Sequence, residues 1–230
     1  VTQPLRLVVF DVDGTLVDSQ THIMEATRVA FIATGIDVPR QSDVLACVGL
    51  SLPKMMERLA PQLNAQTHLA LENGYKQAFV AMREAGDAKA QSPLFDNARE
   101  IINQLSVIPD VLLGVATGKS RRGLDHMLAE NGFGDVFITQ QVSDHHPSKP
   151  HPSMLLSALS ETGVDPENAI MVGDTSFDIE MGIKAGFQTV GVSWGYHTRD
   201  QLKHAGANQI LDHFDELPTM LNTLWGGPYV

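Results

Sequence analysis

Short apolar runs recur along the chain, at 7–10, 111–116, 136–139, 169–172, 189–192 and, more weakly, 209–211; each gives way to Gly, Asp or Thr and then to an amphipathic stretch. Runs of this length bounded by turn residues read as buried strands. Strands alternating with helix-length segments imply right-handed crossovers and a parallel sheet covered by helices on both faces. The pattern therefore predicts a doubly wound, Rossmann-like α/β core, with helices over 97–107, 122–131, 153–162, 177–185 and 214–224.

The rhythm breaks between Val17 and Gln91, where no convincing strand occurs. Ile23, Ala26, Ala30 and Phe31 fall near helical spacing, which predicts a helix over 21–34 closed by Gly35; helices over 52–59 and 65–84 follow, with Pro61 and Gly86 as breakers. A helical block inserted after the first strand predicts a second, smaller all-helical domain over 17–91, with the α/β core made from 1–16 and 92–230. There is no internal repeat and no low-complexity segment.

Composition narrows the function. With 230 residues and 43% hydrophobic content the chain can bury one substantial core and a smaller second one. The formal charge of -11 argues against a broad electrostatic grip on nucleic acid or an anionic membrane, and leaves room for a local basic pocket suited to a small anion. Cys47, the single cysteine, sits among Val44, Leu45, Ala46 and Val48 and reads as packing. No apolar run resembles a signal peptide or approaches the ~20 residues of a membrane span, so a cytoplasmic location is expected.

Ligands of open parallel sheets sit beyond the carboxyl ends of the strands. Three strand ends carry chemistry: Asp11-Val12-Asp13-Gly14-Thr15, Thr117-Gly118-Lys119-Ser120, and Gly173-Asp174-Thr175-Ser176-Phe177-Asp178. Asp11 and Asp13 face one way if the strand stays extended, so one carboxylate could attack an electrophile while the other handles the proton. With Asp174 and Asp178, up to four carboxylates crowd one crevice. A hard divalent cation such as magnesium relieves that repulsion and also binds phosphate. Lys149, in the loop before the 153–162 helix, is a second candidate cation. Thr117 and Gly118 lead into a helix whose free N–H groups suit a phosphate. The run from Gly114 to Ser120 is one residue too short between its glycines to be a nucleotide-binding P-loop.

Together these motifs resemble the haloacid dehalogenase superfamily, in its phosphatase branch with a helical cap inserted after the first strand. The run from 171 to 186 is similar to the phosphoglycolate phosphatase-like members. The resemblance implies Asp11 as nucleophile and magnesium ligand, and Asp13 as general acid and then general base. It implies the Asp13 backbone carbonyl and Asp174 as further ligands, and Asp178 as support for the metal or Lys149. Thr117, Gly118 and Lys149 would hold the phosphoryl oxygens. The expected substrate is a small phosphorylated metabolite and the expected assembly a monomer or homodimer. A phosphomutase of the β-phosphoglucomutase kind shares the same motifs, and a non-catalytic binding or regulatory module could keep the fold. A dehalogenase lacks the second aspartate of the first motif, and a phosphonoacetaldehyde hydrolase would need an imine-forming cap lysine, for which Lys54 has no supporting context.

Lys54 and Arg58, one helical turn apart, could meet a substrate carboxylate or a second phosphate; the alternative is a solvated face with Arg58 near Glu57. Arg28 reads as a surface charge, and Met24, Met55 and Met56 as packing. His145, His146 and His151 cluster in one loop, where a transition-metal site competes with simple solvation.

Overall fold

The computed structural model describes residues 4–87 and 91–227. Six parallel strands form one sheet in the order β3-β2-β1-β4-β5-β6. They are β1 (Arg6–Phe10), β2 (Val111–Thr117), β3 (Thr139–Val142), β4 (Ala169–Gly173), β5 (Gln188–Val192) and β6 (Gln209–Leu211). The chain builds outward from β1 to β3, then returns to the other side of β1 and builds outward again. That reversal opens a crevice at the carboxyl ends of β1 and β4.

Period-two alternation in the buried strands sorts the core into two layers. Val8 and Phe10 of β1 pack with Ile170, Val172, Val190, Ile102, Leu105, Leu124 and Leu221 on the face covered by α5 (Ala98–Ser106), α6 (Arg121–Asn131) and α10 (Leu217–Trp225). Leu7 and Val9 pack with Met171, Met154, Leu155 and Met181 on the face covered by α7 (Ser153–Thr162) and α8 (Ser176–Ala185).

The α/β expectation is met, with local differences. The apolar run at 136–139 is a corner: Val136 N–H donates to Phe133 O at 2.8 Å, and the Phe133, Phe137 and Phe10 rings meet edge to face. β3 begins only at Thr139. As an edge strand it carries polar Thr139 and Gln141, both bonded to Glu161 of α7. A short α9 (Arg199–Ala205), opened by a Thr198/Gln201 capping box, was not expected from the sequence.

After β1 the chain forms α1 (Gln20–Ala33), α2 (Gln41–Leu45), α3 (Leu52–Leu59) and α4 (Ala65–Glu84). The first and last of these pack closely because Gly74 has no side chain: a Cβ there would lie 3.3 Å from Ala30 Cα. Cys47 and Met55 fall in one small apolar cluster and Met56 in another, so all three are packing residues. The strands of chain that enter and leave this helical cap run side by side, with Asp18 N–H on Pro93 O at 2.8 Å and Phe95 N–H on Leu16 O at 2.9 Å.

Candidate active site

Alternation along β1 sends the side chain after Phe10 toward the α7/α8 face, where it meets Lys149. Asp11 is only 1% exposed, and its Oδ1 accepts from Lys149 Nζ at 2.7 Å. The same ammonium donates to Asp178 Oδ1 at 2.6 Å. Asp178 Oδ2 accepts from the N–H and hydroxyl of Thr175 at 3.0 and 2.7 Å, closing the capping box that starts α8. Asp178 is therefore part helix cap and part anchor for Lys149.

Asp174 is fully buried at the end of β4. Its Oδ1 accepts from Thr15 Oγ1 at 3.0 Å and its Oδ2 from Tyr196 N–H at 2.9 Å. The loop after β5 rides directly on this carboxylate, since a Cβ on Gly195 would lie 2.2 Å from Asp174 Cβ.

Single carboxylate oxygens of Asp11, Asp174 and Asp178 lie within 4.8 Å of one another. Burial, opposed by Lys149 and reinforced by Asp178, pushes the Asp11 carboxyl from 3.8 up to about 7. Burial and the neighbouring Asp11 and Asp178 raise Asp174 well above the carboxylate range. Lys149 shows the opposite balance: burial alone would lower it, but Asp11 and Asp178 hold it protonated, above the usual lysine range. Three buried carboxylates thus lie together with one ammonium, which bonds only two of them. Among the described residues Asp11 Oδ2 is buried with no hydrogen-bond partner, an arrangement that is costly without a cation. An oxygen-only donor set with one orphaned carboxylate oxygen fits a hard divalent ion.

Asp13 does not share this environment. The chain stops being extended at Val12, whose carbonyl accepts from the N–H groups of Thr15, Leu16 and Val17. Asp13 instead pairs through Oδ1 with Lys119 Nζ at 2.7 Å and with the Ser19 hydroxyl. Thr117 is buried at the end of β2, and its hydroxyl accepts from Lys119 N–H at 3.1 Å. Gly118 touches the cap: a Cβ there would lie 2.5 Å from Leu50 O and 2.8 Å from Gly49 O. Ser51 N–H donates to Ser148 Oγ at 2.8 Å across the same seam. The cap is closed over the strand ends.

Lys54 and Arg58 are not brought to the carboxylates. They line a groove of about 760 Å³ with Glu57, Ser148, Lys149 and Lys184, and none of Asp11, Asp13, Thr117 or Asp174 contributes to its walls. The Lys54 side chain is 59% exposed and pairs with Glu57 at 2.6 Å, while the Arg58 guanidinium lies 5.5 Å from the Phe177 ring centre. Arg28 is paired with Glu25 at the surface, as expected of a surface charge. In the histidine loop, both ring nitrogens of His146 are engaged, by Ser153 Oγ and Gln141 Oε1 at 2.9 Å each, while His145 and His151 are exposed. His146 braces the loop that carries Lys149.

Sequence reading named Lys119 in the strand end after β2 without giving it a role, and singled out neither Ser19 nor Tyr196. Tyr196 follows the end of β5, so the strand-end rule applied there too would have found it. Ser19 has no such mark.

The haloacid dehalogenase-like hydrolase profile matches residues 8–192, and the chain belongs to this family. Probable phosphatase IndB of Dickeya dadantii is 34% identical over 216 residues, covering 92% of this chain and 91% of the relative. The N-acetylmuramic acid 6-phosphate phosphatase of Pseudomonas aeruginosa is 30% identical over 232 residues, covering 95% of each. A phosphoglycolate phosphatase of Nitrosococcus oceani is 28% identical over 219 residues, covering 94% and 96%. The protein is a phosphoric monoester hydrolase for small phosphate esters. Among the described residues no helix is long and apolar enough to cross a membrane.

Proposed function

We propose that this chain hydrolyses a small phosphorylated hydroxy acid, phosphoglycolate foremost, through an aspartyl-phosphate on Asp11 and with magnesium. The observation that carries this reading is the state of Asp11: buried at the end of the central strand, held at Oδ1 by Lys149 and unpartnered at Oδ2. A carboxylate so aimed is a poised nucleophile, and its bond to phosphorus forms as the bond to the leaving alkoxide breaks.

Asp13 gives that alkoxide a proton, then takes one from the water that cleaves the acyl phosphate. Lys149 keeps a third N–H donor beyond those given to Asp11 and Asp178. The Thr117 hydroxyl accepts from Lys119 and so keeps its own proton to donate. With the Gly118 N–H, these groups would hold the phosphoryl oxygens. Asp11, the Asp13 carbonyl and Asp174 would hold the metal, with Asp178 behind Lys149. Magnesium bound there would neutralise charge on the phosphoryl group.

A compact substrate suits the closed seam, at which the Gly118 backbone meets Leu50 and Gly49 and the reacting carboxylates are buried. Two of the relatives are named for phosphate esters of hydroxy acids, which supports a leaving alkoxide that also carries a carboxylate. The test is phosphate release from phosphoglycolate, N-acetylmuramic acid 6-phosphate and neutral sugar phosphates, with magnesium and with chelator. Phosphoglycolate should show the highest kcat/KM, and chelator should abolish turnover. Preference for a bulky sugar phosphate, or full turnover in chelator, would overturn the proposal.

A further inference from the structure

Asp13 is gripped on one side only. Its Oδ1 receives both Lys119 Nζ and the Ser19 hydroxyl, whereas Oδ2 has no partner among the described residues and the side chain keeps some access to solvent. The grip is well supported. The Lys119 backbone is tied at both ends, its N–H to Thr117 Oγ1 and its carbonyl accepting from Ser143 N–H and Oγ at 3.1 Å each. Ser19 is itself 3.3 Å from the Tyr196 hydroxyl.

The cap supplies the last wall. Phe79 of α4 places its ring centre 5.5 Å from Lys119 Nζ, and that ring is backed by stacked His22 and by Tyr75. The Lys119 side chain is left 11% exposed. Hydrogen bonds enclosed in this way are more directional than in water, and Oδ1 can accept them both when the carboxyl is ionised and when it carries a proton on Oδ2. The buried Lys149 and the half-buried Lys119 divide the work, since Lys149 is committed to Asp11 and Asp178.

We propose that Lys119 is a positioning residue for proton transfer: with Ser19 it clamps Asp13 Oδ1 so that Oδ2 faces the leaving-group oxygen, and cap closure completes the clamp by laying Phe79 over the ammonium. The inference rests on the assignment of Asp13 as acid and base given above. In the first step the Oδ2 proton moves to the leaving oxygen as its bond to phosphorus breaks and the Asp11–phosphorus bond forms. In the second, Oδ2 takes a proton from water as the water–phosphorus bond forms and the Asp11–phosphorus bond breaks.

The test exploits the fact that only a poor leaving group needs the acid. Lys119→Met, Lys119→Arg and Phe79→Ala are compared with the parent on ethyl phosphate, p-nitrophenyl phosphate and phosphoglycolate, reading kcat/KM because it reports formation of the phosphoenzyme. Lys119→Met should lose roughly 30-fold or more on both alkyl phosphates and less than about threefold on the aryl phosphate. Lys119→Arg should recover most of that loss. Phe79→Ala should show the same contrast in smaller degree, and it carries the test if Lys119→Met does not fold. Equal losses on ethyl and p-nitrophenyl phosphate would overturn the proposal in favour of a general structural role. Loss confined to phosphoglycolate would overturn it in favour of carboxylate binding. The underlying phosphatase assignment is judged separately, by whether the parent releases phosphate and Asp11→Asn does not.

Discussion

Replacing Asp11 with Asn separates the chemical role of this side chain from its electrostatic cost. In metal-free protein, burial first and Asp178 second, against the pull of Lys149, hold the Asp11 carboxyl at about 7 instead of 3.8. Between about pH 4 and 7 the folded protein therefore keeps a proton that the unfolded chain has released. The folded state binds more protons in that window, so stability falls as pH rises through it and stays low above it. At about 1.4 kcal/mol per pH unit the full cost is roughly 4 kcal/mol. Asn is neutral throughout and still offers an oxygen to Lys149. Asp11→Asn should thus be more stable than the parent at pH 8 in chelator by about 2–4 kcal/mol, or roughly 5–15 °C in Tm for a chain of this size. The gain should fade to nothing near pH 4. Paired thermal melts across pH 4–8 in chelator, with and without added magnesium, measure this directly. Magnesium should raise Tm more in the parent, because the orphaned Asp11 Oδ2 is a ligand that Asn replaces poorly. Turnover should be lost at every pH, since an amide cannot form the acyl phosphate. A variant no more stable than the parent at pH 8, or a gain that does not change with pH, would refute the reasoning.

Gly118→Ala should lower kcat/KM by roughly 10- to 100-fold with Tm nearly unchanged, because its Cβ would meet Leu50 O and Gly49 O and hold the cap off the strand ends; parent-like kinetics would show that closure at this seam is dispensable. Asp178→Ala removes one of the two carboxylates on Lys149 and the helix cap at Thr175, and should cost about 3 kcal/mol or more in denaturant unfolding. Lys54→Ala should change turnover of phosphoglycolate less than about twofold, since the side chain is exposed and answers to Glu57; a large loss confined to that substrate would return it to the binding site.

Much of the protein was legible in the chain because the information is local. Runs such as 7–10 and 169–172 are apolar at every position, which a strand buried on both faces requires, and the absence of any such run after Val17 marked the helical insertion. Asp11, Asp174 and Asp178, which the structure brings together, were legible because a parallel sheet puts its polar chemistry at or just beyond the strand ends, and Lys149 was read from the loop before the 153–162 helix. β3 was misplaced by three residues, because the apolar Val136 and Phe137 serve an aromatic corner and the edge strand itself is polar.

What the sequence could not decide is which charge meets which. Asp11 and Asp13 are two residues apart and read as one pair, yet a single turn after Val12 sends them to different lysines. Of the two readings left open for 54–58, one set Arg58 beside Glu57; in the structure Glu57 takes Lys54 while Arg58 covers Phe177. Lys119 and Ser19, 106 and 6 residues away in the chain, converge on Asp13, and Tyr196 reaches Ser19 from a third segment. Periodicity and strand-end rules act over a few residues, so they determined the fold and pointed to the three carboxylates that the structure groups, Asp11, Asp174 and Asp178. Partner choice among buried charges depends on distances set by packing between segments remote in sequence, and only the tertiary structure decided it.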